Sequence, residues 1–231
     1  MNLIAEIQKL QNNLRAEDFK TVVYGCEKLI KKNPNNPFLF NLLALALHGN
    51  GNYLMAIDKF KRALDLDPNF LPAKNNLANS YKAIENFEKA EFFYKNVLKS
   101  KPNYIQALNN YANLKTMIFD YSSAINLYEK ALKINENDQR ILFALANAYH
   151  SIGKAEKSKE IVENILLNNP KNTSAHKLLS SIVNYSENQE NLNEMKKLIL
   201  EKDLSKSQIV DLLFALGKAY EDIKQYENSF L

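Results

Sequence analysis

Four prolines keep one register. Pro34, Pro68, Pro102 and Pro170 are separated by 34, 34 and 68 residues. The same pattern returns around them. Leu43-Ala44, Leu47, Ala56, Phe60 and Ala63 precede Pro68, and Leu77-Ala78, Tyr81, Ala90, Tyr94 and Val97 precede Pro102. Tyr111-Ala112, Ala124, Tyr128 and Ala131 run on to Glu136, which stands in the proline slot. Leu145-Ala146, Tyr149, Ser158, Val162 and Ile165 precede Pro170. A period of this length constrains the chain more than any composition does. Each unit is too small to bury its apolar face alone and is stabilised by stacking on its neighbours. The 231 residues hold about 6.8 such units.

Each slot has a physical reason. Ala44, Ala78, Ala112 and Ala146 lie where two helices of a hairpin cross closely, and Ala56, Ala90 and Ala124 meet them on the second helix. Phe19, Tyr53, Phe87 and Tyr121 open the second helices and fill the space between hairpins, each covering roughly 150–250 Å². Pro68 and Pro102 close a unit, because proline cannot continue the preceding helix but suits a new start. Asn33, Asn35, Asn36, Asp67, Asn69, Asn103, Asn135 and Asn137 suit caps and turns.

The small residue in the first helix, the alanine and aromatic in the second and the closing proline resemble the tetratricopeptide repeat. The resemblance covers essentially the whole chain. It implies an all-α, right-handed superhelical solenoid of antiparallel helix pairs, with units at roughly 3–36, 37–70, 71–104, 105–138, 139–172, 173–207 and a partial 208–231. The ends are less regular. Leu3, Ile4, Ile7, Leu10 and Leu14 are helically spaced, and Val22 and Cys26 replace alanine and aromatic in a degenerate first unit. Leu178-Leu179-Ser180 starts the sixth unit, whose second helix is expected near Leu192–Leu200, followed by a looser stretch at 201–207. Gly217 then comes 37 residues after Ser180. Leu216-Gly217, Tyr220 and Tyr226 open a seventh unit that stops about one turn into its second helix, leaving an apolar face open to self-association.

Composition excludes several classes. One cysteine excludes a disulfide scaffold and a Cys-ligated zinc site. A net charge of +4 falls short of the concentrated basic patch of a nucleic-acid binder. Glu6, Gln8 and Lys9 interrupt the N-terminal apolar positions, which argues against a signal peptide. No apolar run approaches the ~18–20 residues of a membrane span. A cytoplasmic location is expected. The sequons at Asn172 and Asn184 are then accidental.

Asparagine occurs 32 times and lysine outnumbers arginine 27 to 3, as in an AT-rich genome. Some asparagines keep the period even so. Asn41, Asn75 and Asn109 are 34 apart, as are Asn76 and Asn110, and Asn79, Asn113 and Asn147. All flank the small-residue slot on first helices, which line the concave side in this family. Stacking turns them into rows. A carboxamide offers two donors and one acceptor, so a row holds an extended peptide backbone without reading its side chains. The rows resemble the asparagine-lined superhelix of protein O-linked N-acetylglucosamine transferases and other peptide-binding members. The other reading of the same rows is solvation, or hydrogen bonding within the array. Lys74, Lys82, Arg140 and His150 share the first helices and would attract acidic peptides. The Lys/Asn clamp of chaperone-tail-binding members is not reproduced by this spacing.

Little here suggests chemistry. His48 and His150 are equivalent slots three units apart, on the order of 30 Å, too far to share a metal. His176 has no carboxylate or cysteine at ligand spacing, and Cys26 has no local base. Gly49-Asn50-Gly51 lacks the following Gly-Lys-Ser/Thr of a phosphate loop. No cofactor is expected. Residues 212–230, LLFALGKAYEDIKQYENSF, resemble the segment before the catalytic domain of bacterial tetratricopeptide-repeat sulfotransferases. That resemblance implies a transferase domain, less plausibly a glycosyltransferase, beyond Leu231, with nothing catalytic in this chain. The leading expectation is a non-catalytic scaffold that binds protein or extended peptide, and neither nucleic acid nor membrane.

Overall fold

The computed structural model describes residues 3–187 and 189–229. Helix starts repeat the sequence period. First helices are α1 (Leu3–Arg15), α3 (Pro37–Gly49), α5 (Leu71–Ala83), α7 (Ile105–Met117), α9 (Gln139–Ser151) and α11 (Thr173–Ser180), each starting 34 residues after the last. Second helices are α2 (Phe19–Lys32), α4 (Tyr53–Leu66), α6 (Phe87–Ser100), α8 (Tyr121–Leu132), α10 (Ala155–Asn168) and α12 (Glu190–Leu198). They keep the same interval as far as α10. Then follow α13 (Lys206–Asp222) and a 3₁₀ turn at Tyr226–Asn228. The described residues contain no strand. No described helix is long and apolar enough to cross a membrane.

The chain falls into two compact units, Met1–Leu114 and Lys115–Leu231, divided within α7. In the first unit, α1 packs on α2, α3 on α4 and α5 on α6. Each second helix also packs on the next first helix, α2 on α3 and α4 on α5. Ala44, Ala78, Ala56 and Ala90 are completely buried at the crossings. Phe60 and Tyr94 fill the adjoining space with no exposure. Burying a side chain of Phe60's size contributes on the order of 1.5–3 kcal/mol. Val22 and Cys26 occupy the slots of Ala56 and Phe60 and are equally buried, so the degenerate first hairpin is still packed. Phe19, Tyr53 and Phe87 begin their helices as expected and are half-buried.

The prolines of the register stand in the turns between hairpins. Helix caps keep the period too, with Asp18, Asn86 and Asp120 before second helices and Asn36, Asp138 and Asn172 before first helices. Asp18 accepts from Thr21 N at 3.2 Å, Asn86 from Lys89 N at 3.2 Å and Asn172 from Ala175 N at 3.1 Å. The turn inside each of the first five hairpins holds a left-handed residue at one repeated position. Glu17, Gly51, Glu85, Phe119 and Gly153, each 34 apart, have φ between 58° and 80°. Only two of these five are glycine, the residue that adopts this conformation without a Cβ clash.

The second unit packs α8 on α9, α9 on α10 and α10 on α11. Ser158 replaces the crossing alanine, and its buried hydroxyl donates to the Ala146 carbonyl at 2.9 Å. The sixth hairpin departs from the pattern. Its first helix has only 8 residues and packs chiefly on α13. Leu192, Met195 and Leu198 of α12 join Leu212, Ala215, Leu216 and Ala219 of α13 in one core. The tie between α11 and α12 is polar. Buried His176 sits between the Pro170 carbonyl, 2.8 Å from Nε2, and Asn191 Nδ2, 2.7 Å from Nδ1. Asn191 Oδ1 in turn accepts from Tyr185 Oη at 2.8 Å.

The interval of 37 residues from Ser180 to Gly217 is not a delayed start. Helix α13 begins at Lys206, only 33 residues after Thr173, behind a capping box formed by Ser205 and Gln208. The loose stretch thus ends before residue 207, and the boundary drawn at 207/208 falls inside α13. This helix has 17 residues instead of 13, so its crossing point comes one turn deeper. Gly217 remains that point, since a Cβ there would lie 3.3 Å from the Ser229 carbonyl. Beyond α13 the described chain forms the single turn Tyr226–Asn228 where a second helix was expected to begin. Within residues 212–229, Leu212, Ala215, Leu216 and Ala219 pack into the core shared with α12, while Leu213, Phe214 and Tyr226 stay exposed; Phe230 and Leu231 lie outside the described residues.

Candidate peptide-binding face

On a helix, residues three, four and seven apart share one face. Asn75, Asn79 and Lys82 therefore form one stripe on α5, and Asn41 and His48 the equivalent stripe on α3. Asn109 and Asn113 occupy the same slots on α7. The first unit brings four carboxamides of these helices into one chain. Asn110 Nδ2 donates to Asn75 Oδ1 at 3.2 Å, Asn75 Nδ2 to Asn76 Oδ1 at 3.4 Å, and Asn76 Nδ2 to Asn41 Oδ1 at 3.2 Å.

The members of the row are not equivalent. Asn41 and Asn75 are each 4% exposed, so their amides belong to the interior, where a polar group must find a partner. Asn76, Asn79, Asn109, Asn110 and Asn113 are half-buried. Asn79 Oδ1 accepts from the hydroxyl of buried Tyr94, leaving its amide nitrogen without a protein partner. Asn109 makes no hydrogen bond through its side chain to any described residue. Hydrogen bonding within the array thus takes up the side chains nearest the core, and Asn79 Nδ2 and Asn109 keep their capacity for a ligand.

Lys82 is half-buried, and burial lowers its pKa from the ordinary lysine value. Among the described residues no carboxylate pairs with it. His48 is held lower than an ordinary histidine by burial first and by Lys82 second, and its Nδ1 lies 2.9 Å from Ser80 Oγ.

In the second unit the expected site residues are engaged differently. Asn147 Nδ2 donates to the Phe143 carbonyl one turn back, at 2.8 Å. Arg140 is exposed and pairs with Asp138 at 3.3 Å. His150 Nε2 lies 3.5 Å from Ser181 Oγ. The structure describes these three within the second unit only.

One property of the face lies outside the periodic slots. Helices α3, α5, α7, α9 and α11 contain no aspartate or glutamate at all. The signal was present in the sequence, but only the helix bounds separate these acid-free helices from the second helices, each of which bears at least one acid. No group of histidine, cysteine, aspartate and glutamate among the described residues is arranged to hold a metal. Cys26 is fully buried and its thiol is pushed up to about 12, by burial first and by Glu27 second, the opposite of an activated nucleophile.

Helical hairpins at a fixed period, with a polar face on the first helices and no catalytic constellation among the described residues, define a repeat protein of the helix-turn-helix class. The family description "Tetratricopeptide repeat" matches residues 47–118 and 119–182 in one model and 26–58 in another. The chain belongs to the tetratricopeptide repeat family. A stretch of 74 residues, 32% of the chain, is 34% identical to the peroxisomal targeting signal receptor of Saccharomyces cerevisiae. It spans only 12% of that receptor's length. Among solved structures, Pseudomonas aeruginosa pilF is similar with a TM-score of 0.68 at 20% identity, over 84% of this chain and 88% of that one. A tetratricopeptide repeat protein from Parabacteroides merdae gives 0.69 at 19% identity, over 97% and 88%. YrrB, described as a TPR protein with an unusual peptide-binding site, gives 0.62 at 19% identity, over 83% and 95%. At these identities the likeness is one of fold.

Proposed function

We propose that this chain is a non-catalytic scaffold that holds an extended peptide or protein segment along the first-helix face of its N-terminal unit. The observation that carries the reading is the set of ligand-ready polar groups on one face. Asn79 Nδ2, Asn109 and Lys82 lack protein partners among the described residues, while the carboxamide chain beneath them fixes the helices that present them. Asn41, Asn75, Asn76 and Asn110 act mainly as that support. A carboxamide that offers both donor and acceptor pairs with a peptide unit of any sequence. The unusual peptide-binding site described for YrrB supports such a use of the fold. The yeast relative is named as a receptor for a targeting signal.

The test is a selection of short random peptides on the full chain, followed by placement of a photo-crosslinking residue at position 109 or at Phe92. Phe92 lies exposed on second helix α6. Crosslinking of the selected peptides from 109 and not from 92 is the expected result. Crosslinking from 92 alone would overturn the assignment of the face.

A further inference from the structure

The strongest unexplained feature is the distribution of charge. The ten carboxylates of residues 1–114 lie on α1, on second helices or in turns. None lies on α3, on α5 or on the α7 residues up to Leu114. The same 114 residues carry 15 Lys and Arg, whereas residues 115–231 carry 15 against 16 acids. The excess cation of the molecule is thus confined to the unit that bears the carboxamide chain.

We infer that the partner of this face is an extended segment carrying side-chain carboxylates, with Lys82 as the counter-charge and Asn79 and Asn109 as neutral donors. The inference rests on the peptide-binding reading above and adds the chemistry of the partner. Three observations converge on it. Lys82 is a half-buried cation with no acid partner, and a desolvated charge without a counter-charge is unfavourable until one is supplied. His48 beside it is shifted toward its neutral form, by burial first and by Lys82 second. Helices α3, α5 and α7, which carry the row, hold no carboxylate up to Leu114 to repel an acidic ligand, which is the complement that steers and registers charged partners. A neutral segment would leave Lys82 uncompensated, and a basic one would meet it directly.

The experiment uses the peptides selected on the full chain. Enrichment in Asp and Glu over the starting library is expected, with affinity that falls as salt rises. Lys82→Glu should weaken binding by about tenfold or more, and Lys82→Gln by less. Lys99→Glu, which makes the same change of net charge at an exposed position on α6, should leave binding unchanged. Amidating the peptides' C-termini should also leave it unchanged, because the carboxylates are those of side chains. Selected peptides without acid enrichment that tolerate Lys82→Glu would overturn the inference and leave the peptide-binding reading standing. Loss of binding on amidation would overturn the side-chain assignment. Recovery of no peptide at all would overturn both.

Discussion

Replacing Asn75 by alanine separates the two roles of the carboxamide row. Asn75 is 4% exposed and has two side-chain hydrogen bonds, one accepted from Asn110 at 3.2 Å and one donated to Asn76 at 3.4 Å. A net intramolecular hydrogen bond contributes about 1 kcal/mol, and the longer of these two contributes less. The lost contacts of a buried side chain add to that. The expected destabilisation is about 2 kcal/mol. In a chain of this size that is a drop of about 4–8 °C in Tm. Asn109→Ala, 34 residues on in the same slot, removes no protein contact through a hydrogen bond and should change stability by no more than about 0.5 kcal/mol. Urea unfolding followed by far-ultraviolet circular dichroism measures both. A double-mutant cycle with Asn110→Ala should give a coupling of about 0.5–1 kcal/mol. Equal effects of Asn75→Ala and Asn109→Ala, both near zero, would refute the division of the row into supporting and ligand-facing members.

Two further outcomes follow from the fold. Gly51 has φ of 80° with nothing within 4 Å of an added Cβ, so Gly51→Ala tests backbone conformation alone. The left-handed conformation costs about 1–2 kcal/mol and the stiffer unfolded chain returns about 0.4–1, so a net loss near 0.5–1 kcal/mol is expected. Glu85→Gly, at the same slot with φ of 59°, should gain a similar amount, and a stabilised Gly51→Ala protein would contradict both. The second outcome concerns alkaline pH. The Cys26 thiol is raised from 9.0 to about 12 in the folded chain, so the folded state keeps a proton that the unfolded state loses. That stability is fully present below pH 9 and is lost as pH rises toward 12, at about 1.4 kcal/mol per pH unit. Cys26→Val should show a slope shallower by that amount between pH 9 and 11 in urea titrations. A slope identical to that of the parent chain would show that Cys26 is not the group responsible.

The fold was legible because its determinants are repeated and apolar. Ala44, Ala78, Ala112 and Ala146 announce a crossing wherever they stand, because no larger side chain fits between two helices in contact, and all four are completely buried. Serine at 158 was readable for the same reason, its hydroxyl folding back on the Ala146 carbonyl. Legibility failed where a local exchange moved the register without breaking the helix. A longer α13 and a shorter α11 preserve the apolar contacts while shifting Gly217 by a turn, and a pattern of slots records only the shift. The polar tie of His176, Asn191 and Tyr185 was equally hidden, since it joins residues with no shared period.

The candidate site was legible only in outline, and the reason is physical. An apolar slot has one good environment, but a carboxamide is satisfied equally by a neighbouring carboxamide, by its own helix or by a ligand. Asn75, Asn147 and Asn109 look alike in the sequence. One is tied to its neighbours, one to the Phe143 carbonyl, and one has no protein partner. The period says which side of the helix each occupies; only geometry says which has spare valence. Charge reverses that order. The absence of every carboxylate from five first helices is a property of composition, visible once the helix bounds are drawn, and it does not depend on any single hydrogen bond. Lys82 connects the two kinds of information, because it is both a member of the periodic face and the half-buried cation that the acid-free layer leaves without a partner.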